Sequence, residues 1–141
     1  GGARGTTLTL PADEYIDVDS VLIPTKETPT KVEGTAFDFR EGKRIGERRD
    51  GRYDNSWILR KNAVVHAEGN RAELWCRTTE PAIQVYTGEF LSGEDTSPFL
   101  GLALETGRYP NTPNRPDFPQ CFTENGIVTE STTSYCLKVK D

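Results

Sequence analysis

The 141-residue sequence contains no methionine, a single histidine (His66), and only three cysteines, Cys76, Cys121 and Cys136. One imidazole beside three thiols that make no Cys-x-x-Cys spacing offers too few well-placed ligands for zinc, so no metal is expected within the chain. The odd cysteine count fits free buried thiols, with a Cys121–Cys136 disulfide as the alternative in a secreted protein. Basic excess is absent too. Against 22 Asp and Glu stand 17 Lys and Arg, for a net charge of −5 and a pI near 5.0. The cations are scattered among acids, so nucleic acid is not an expected partner. The densest charge cluster, Glu47-Arg48-Arg49-Asp50, reads as a solvated loop. Mean hydropathy is −0.63, and no apolar run approaches the roughly 18 residues of a spanning helix, so no membrane span is expected. Asn-x-Ser/Thr sequons are missing as well, which fits a cytoplasmic location, with secretion the alternative. With no initiator and a start at Gly1-Gly2-Ala3, the expectation is a processed or fragmentary chain.

What is present is period-2 alternation. Thr7–Leu10, Val21–Ile23, Ser56–Leu59, Ala63–Ala67, Ala72–Thr78, Ala82–Thr87, Phe99–Leu104 and Ser134–Val139 are short runs of the kind that form strands, each bounded by Gly, Pro, Asn or Asp. No segment carries a sustained 3.6-residue apolar stripe, so the chain reads as all-β. Glu68-Gly69-Asn70-Arg71 predicts a hairpin turn, since Gly69 and Asn70 both tolerate positive φ. Pro81 opens the next strand, where a missing N–H matters least. Four prolines between Pro110 and Pro119 predict a loop that is neither strand nor helix. No repeat, low-complexity segment or internal boundary is visible, and residues 1–141 read as part of one domain.

Five patches carry more than fold. In order they are Leu22-Ile23-Pro24-Thr25, Thr35-Ala36-Phe37-Asp38-Phe39-Arg40, Gly51-Arg52-Tyr53-Asp54-Asn55, Gln84-Val85-Tyr86-Thr87-Gly88 and Leu104-Glu105-Thr106-Gly107-Arg108-Tyr109-Pro110. Taken together, in this order and from about Leu8 to the end, they resemble the C-terminal portion of the aldose 1-epimerase (galactose mutarotase) family. The resemblance implies an antiparallel β-sandwich of galactose mutarotase-like type, of which this chain forms the C-terminal part. It also implies a sugar cleft on one concave sheet and an N-terminal chain of the same fold as partner. Strands that cannot close their own sheets leave exposed edges and an uncovered apolar face. The sequence departs from the family pattern at Glu89, where Asn is usual, at Gly107, where Gln is usual, and at Asn55, often His. The loop from Leu91 to Gly101 is shorter than usual. These departures bear on sugar preference more than on fold.

Interconverting the α and β anomers of a free aldose needs a base at the C1 hydroxyl and an acid at the ring oxygen, with no metal, nucleotide or other cofactor. By the resemblance the base is Glu105, whose preceding run Phe99–Leu104 predicts an apolar setting. Asp54 matches the family Asp that accepts hydrogen bonds from sugar hydroxyls, a task suited to a carboxylate; an Asx-turn before the next strand is the alternative. Gln84 matches a family glutamine whose amide both donates and accepts. Alternation sets it on the face opposite Ile83 and Val85. Trp57 and Trp75 read as core rather than as sugar platforms. His66 reads as an ordinary strand histidine, because the family's acid lies in the N-terminal portion. The expected substrate is a monosaccharide, glucose or galactose. A carbohydrate-binding protein on the same fold with little turnover is the alternative, and a purely structural partner is a third reading.

Overall fold

The computed structural model describes residues 2–25 and 28–140, and within them ten strands form two five-stranded antiparallel sheets. The strands are β1 (Thr7–Thr9), β2 (Ala12–Ile16), β3 (Thr30–Lys31), β4 (Lys43–Arg44), β5 (Asp54–Leu59), β6 (Val64–Glu68), β7 (Ala72–Thr78), β8 (Ala82–Tyr86), β9 (Ala103–Gly107) and β10 (Thr133–Val139). One sheet has the order β10-β7-β6-β1-β4 and the other β3-β2-β5-β8-β9. The only helical pieces among the described residues are three single 3-10 turns.

Alternation builds the core. Leu8, Val65, Ala67 and Cys76 of the first sheet meet Tyr15, Trp57, Ile83 and Val85 of the second in one buried cluster. Trp57 is fully buried, and its indole N–H donates to the Phe37 carbonyl at 2.9 Å, so its polar atom is satisfied. Tyr53, also core, donates from its hydroxyl to the Ala36 carbonyl at 2.8 Å, and burial pushes its phenol up to about 12. These two bonds tie the segment from Thr35 to Phe39 against the second sheet. There Phe37 stacks on Tyr15 at 4.1 Å and Phe39 lies edge-on to Tyr53.

Several local expectations are overturned. Val21–Ile23 is a turn, not a strand: Leu22 sits at φ 64, and Asp19 Oδ1 accepts from the N–H groups of Val21 and Ile23, both at 2.9 Å. That side chain replaces the strand partners the segment would need. The run Phe99–Leu104 is strand only from Ala103, because Phe99 lies at φ 63. The strand extends instead to Gly107, which puts Glu105 at its middle. Between Pro110 and Pro119 the chain makes a 3-10 turn over Thr112–Asn114, started by Asn111 at φ 58 and held by Thr112 Oγ1 donating to the Tyr109 carbonyl at 2.6 Å. The β6–β7 hairpin forms where expected and closes with Gly69 N–H on the Ala72 carbonyl, but neither Gly69 nor Asn70 takes a positive φ. Trp75 is only half-buried and belongs to the outer face of its sheet, stacked on His66.

β2 shows no clean alternation, since a register shift falls between Ala12 and Glu14. The extra residue, Asp13, is clamped by Arg60, whose Nε lies 2.8 Å from Oδ2, and by Arg40 at 3.3 Å from Oδ1. The three cysteines are free: Cys76 is buried, Cys121 half-exposed and Cys136 exposed. Only one therefore fits the expectation of buried thiols.

The first sheet ends in an open edge. Tyr135, Leu137 and Val139 of β10 share a face with Cys76, Leu74 and Ala72, yet are 51%, 65% and 73% exposed. Beside them an apolar cleft of about 430 Å³ opens between the sheets, lined by Ala67, Leu74, Leu102, Leu104 and Leu137 among others.

Candidate functional site

The pairing of β5, β8 and β9 decides which polar groups meet. Asp54 lies opposite Tyr86, Ser56 opposite Gln84, and Gln84 opposite Glu105. Residues directly opposite share a face, and alternation carries Asp54 and Ser56 to the same side. Asp54, Ser56, Gln84 and Glu105 therefore stand together on the outer face of the second sheet, while Trp57, Ile83 and Val85 turn to the core. All three residues expected to touch a sugar, Glu105, Asp54 and Gln84, are thus on one surface.

Their surroundings differ. Gln84 Nε2 donates to Asp54 Oδ1 at 2.6 Å, and Gln84 Oε1 accepts from the Ser56 hydroxyl. Both Asp54 and Gln84 are half-buried. Glu105 is exposed and, among the described residues, its side chain makes no hydrogen bond or ion pair. Its expected apolar setting does not materialise. Leu102, Leu104 and Leu137 line the cleft between the sheets, and one residue along β9 from Leu104 the Glu105 side chain leaves by the opposite face.

The ends of this face are also built. Tyr86, level with Asp54, accepts from the Phe90 N–H at 2.9 Å through its hydroxyl. Arg52 Nε approaches Glu89 Oε2 to 2.8 Å. That approach is out of line for a hydrogen bond, so this buried carboxylate oxygen is held by charge alone. On the β2 side, Tyr109 packs edge-on to Phe118. Burial raises the Tyr109 phenol, and the nearby Glu14 carboxylate adds to the effect. Asn55 points to the other side of β5 from Asp54 and donates to the Ile16 carbonyl at 3.2 Å.

His66 lies on the other sheet. Its Nε2 is 3.3 Å from Glu73 Oε2 and its ring stacks on Trp75 with centroids 4.8 Å apart, the ordinary partners of a strand histidine. Sequence reasoning missed Ser56. The signal was there in the alternation: a small polar residue two positions after Asp54 had to share its face.

The sequence matches the family model described as aldose 1-epimerase over residues 1–136. It is 35% identical to galactose mutarotase of Sus scrofa over 149 residues, an alignment that covers 94% of this chain and 43% of the relative. With aldose 1-epimerase of Escherichia coli it shares 36% identity over 155 residues, covering 94% of this chain and 44% of that one. The chain spans less than half the length of these curated relatives. In structure it resembles a GalM/aldose epimerase homologue from C. elegans, with a TM-score of 0.88 at 24% identity over 99% of this chain and 47% of that one. A galactose 1-epimerase from Lactobacillus acidophilus superposes with a TM-score of 0.70 at 23% identity, over 99% of this chain and 46% of the other. These two structural likenesses speak to the fold, the antiparallel two-sheet architecture seen here. On the extent of the sequence match, this chain is a member of the aldose 1-epimerase family.

Proposed function

We propose that this chain carries the base-bearing part of an aldose 1-epimerase site, which interconverts the α and β anomers of a free aldohexose, glucose or galactose, by opening and reclosing the ring. The observation that carries the reading is the register across β8 and β9: it sets Glu105 beside Gln84 and Asp54 on one outward face. Glu105 takes the C1 hydroxyl proton as the base. It is suited to this because no neighbour among the described residues holds its carboxylate. Asp54 and Gln84, locked to each other, hold sugar hydroxyls; a carboxylate accepts from them and the amide donates.

The reaction needs a second proton-transfer group at the ring oxygen, and His66 is on the wrong sheet to be it. The reading therefore assigns the acid, a histidine, to an N-terminal portion of the domain, with residues 1–141 forming its C-terminal part. The open apolar edge of β10 and the cleft beside it supply the surface on which that portion would seat, as sheets left half-covered require. No metal or cofactor enters.

Polarimetry on freshly dissolved α-D-galactose and α-D-glucose tests the proposal. The chain together with its companion portion is expected to speed the approach to anomeric equilibrium. The chain by itself is expected to be slower by about 10²-fold or more, the usual worth of one missing acid. Sugar binding without any acceleration in the assembled protein would replace the enzyme with a carbohydrate-binding protein.

A further inference from the structure

Ser56 is 4% exposed, in register with Gln84 on one side and with Ile16, which is 2% exposed, on the other. A hydroxyl on so buried a residue needs a partner, and among the described residues it has Gln84 Oε1. The direction of the chain of bonds follows from the chemistry. The Asp54 carboxylate accepts and does not donate, so the amide must turn Nε2 towards it. That leaves Oε1 facing Ser56, whose hydroxyl must then be the donor. Flipping the amide would set its carbonyl against the carboxylate, two acceptors at contact distance.

We infer that Ser56 is a positioning residue for the monosaccharide: by donating to Gln84 Oε1 it anchors the far end of an amide whose orientation Asp54 dictates. One N–H of Gln84 and one oxygen of Asp54 are then left as an adjacent donor and acceptor for two neighbouring hydroxyls of a pyranose. Ser56 itself touches no substrate. Without it the Gln84 side chain is held at the Asp54 end only, and its second N–H is no longer fixed beside the free Asp54 oxygen. This inference rests on the sugar-site reading above and adds the residue that steadies its amide.

Two measurements on the assembled protein, with this chain ¹⁵N-labelled, test it. In the wild type, one Gln84 side-chain amide proton is expected to exchange with water about 10-fold more slowly than that of an exposed glutamine, and Ser56→Ala, which frees the carbonyl end but leaves the bond to Asp54, is expected to reduce that protection. Titration with D-galactose or D-glucose, followed by amide shifts, is expected to show affinity about 5- to 10-fold weaker in Ser56→Ala, as for the loss of one supporting hydrogen bond. In a Gln84→Ala background the Ser56→Ala change is expected to have no further effect, because Ser56 acts through the amide. Equal weakening in both backgrounds would make Ser56 merely structural and overturn the inference. So would an unprotected Gln84 amide in a wild type that still binds sugar, and in that case the site reading survives. A protected amide with no sugar binding at any concentration overturns the site reading, and the positioning role falls with it.

Discussion

Two carboxylates on the second sheet are treated in opposite ways. Asp13, at the bulge of β2, is gripped by two guanidinium groups, which pull its carboxyl down to about 2, with the Arg60 hydrogen bonds the largest cause and Arg40 adding to them. Glu105, at the middle of β9 three strands away, is exposed and has no such partner among the described residues. His66 and Glu73 on the other sheet resemble the first case, each being the other's neighbour at 3.3 Å. A side chain whose charge is already matched serves the fold. One left open on a face of half-buried polar groups is available to a ligand, and this contrast supports the proposal of Glu105, rather than His66, as the base.

The comparison breaks most easily at the level of rate. In the assembled protein, Glu105→Gln is expected to lower turnover by at least about 10²-fold while sugar affinity stays within a few fold and the melting temperature is unchanged, since the amide keeps the shape but cannot act as a base. Asp13→Asn is expected to do the reverse, lowering the melting temperature with turnover retained. If Glu105→Gln instead melts lower and turns over normally, the two carboxylates have been assigned the wrong way round.

A smaller effect lies in the acid range. A carboxylate whose folded pKa is depressed stabilises the fold above its unfolded value of about 3.9 and loses that contribution as the pH falls through the folded value. For Asp13 the window runs from about pH 4 down to about 2. Thermal melts between pH 5 and pH 2 should therefore fall less steeply in Asp13→Asn than in the wild type; parallel curves would mean that the Arg60 and Arg40 clamp contributes nothing. The smallest effect is expected at His66. His66→Gln should cost about 1 kcal/mol or less in chemical denaturation, as for an outer-face contact, and leave the anomerisation rate unchanged. A large rate loss there would make the histidine part of the chemistry.

Legibility was uneven along the chain, for local reasons. β7 spans the residues its alternation predicts, and β6, β8 and β10 differ from the prediction by a residue or two, because each runs with few interruptions beside a strand of similar length. β2 was hidden because the bulge at Asp13 inserts a residue and breaks the period of two. Val21–Ile23 had the composition of a strand, but Asp19 satisfies its N–H groups within a turn. β9 was placed about three residues too early, since nothing in the apolar letters of Phe99–Leu104 announces the left-handed backbone at Phe99.

By itself the sequence determined the all-β class and the family and pointed to three polar residues, because alternation and short motifs are local properties of the chain. Only the tertiary structure decided that Gln84 is level with Glu105 and bonded to Asp54, that Ser56 completes the row, and that Glu105 faces outward, away from its apolar neighbours. Strand register and exposure depend on which segments pair across dozens of residues, and a shift of one position would have turned every one of these side chains to the opposite face.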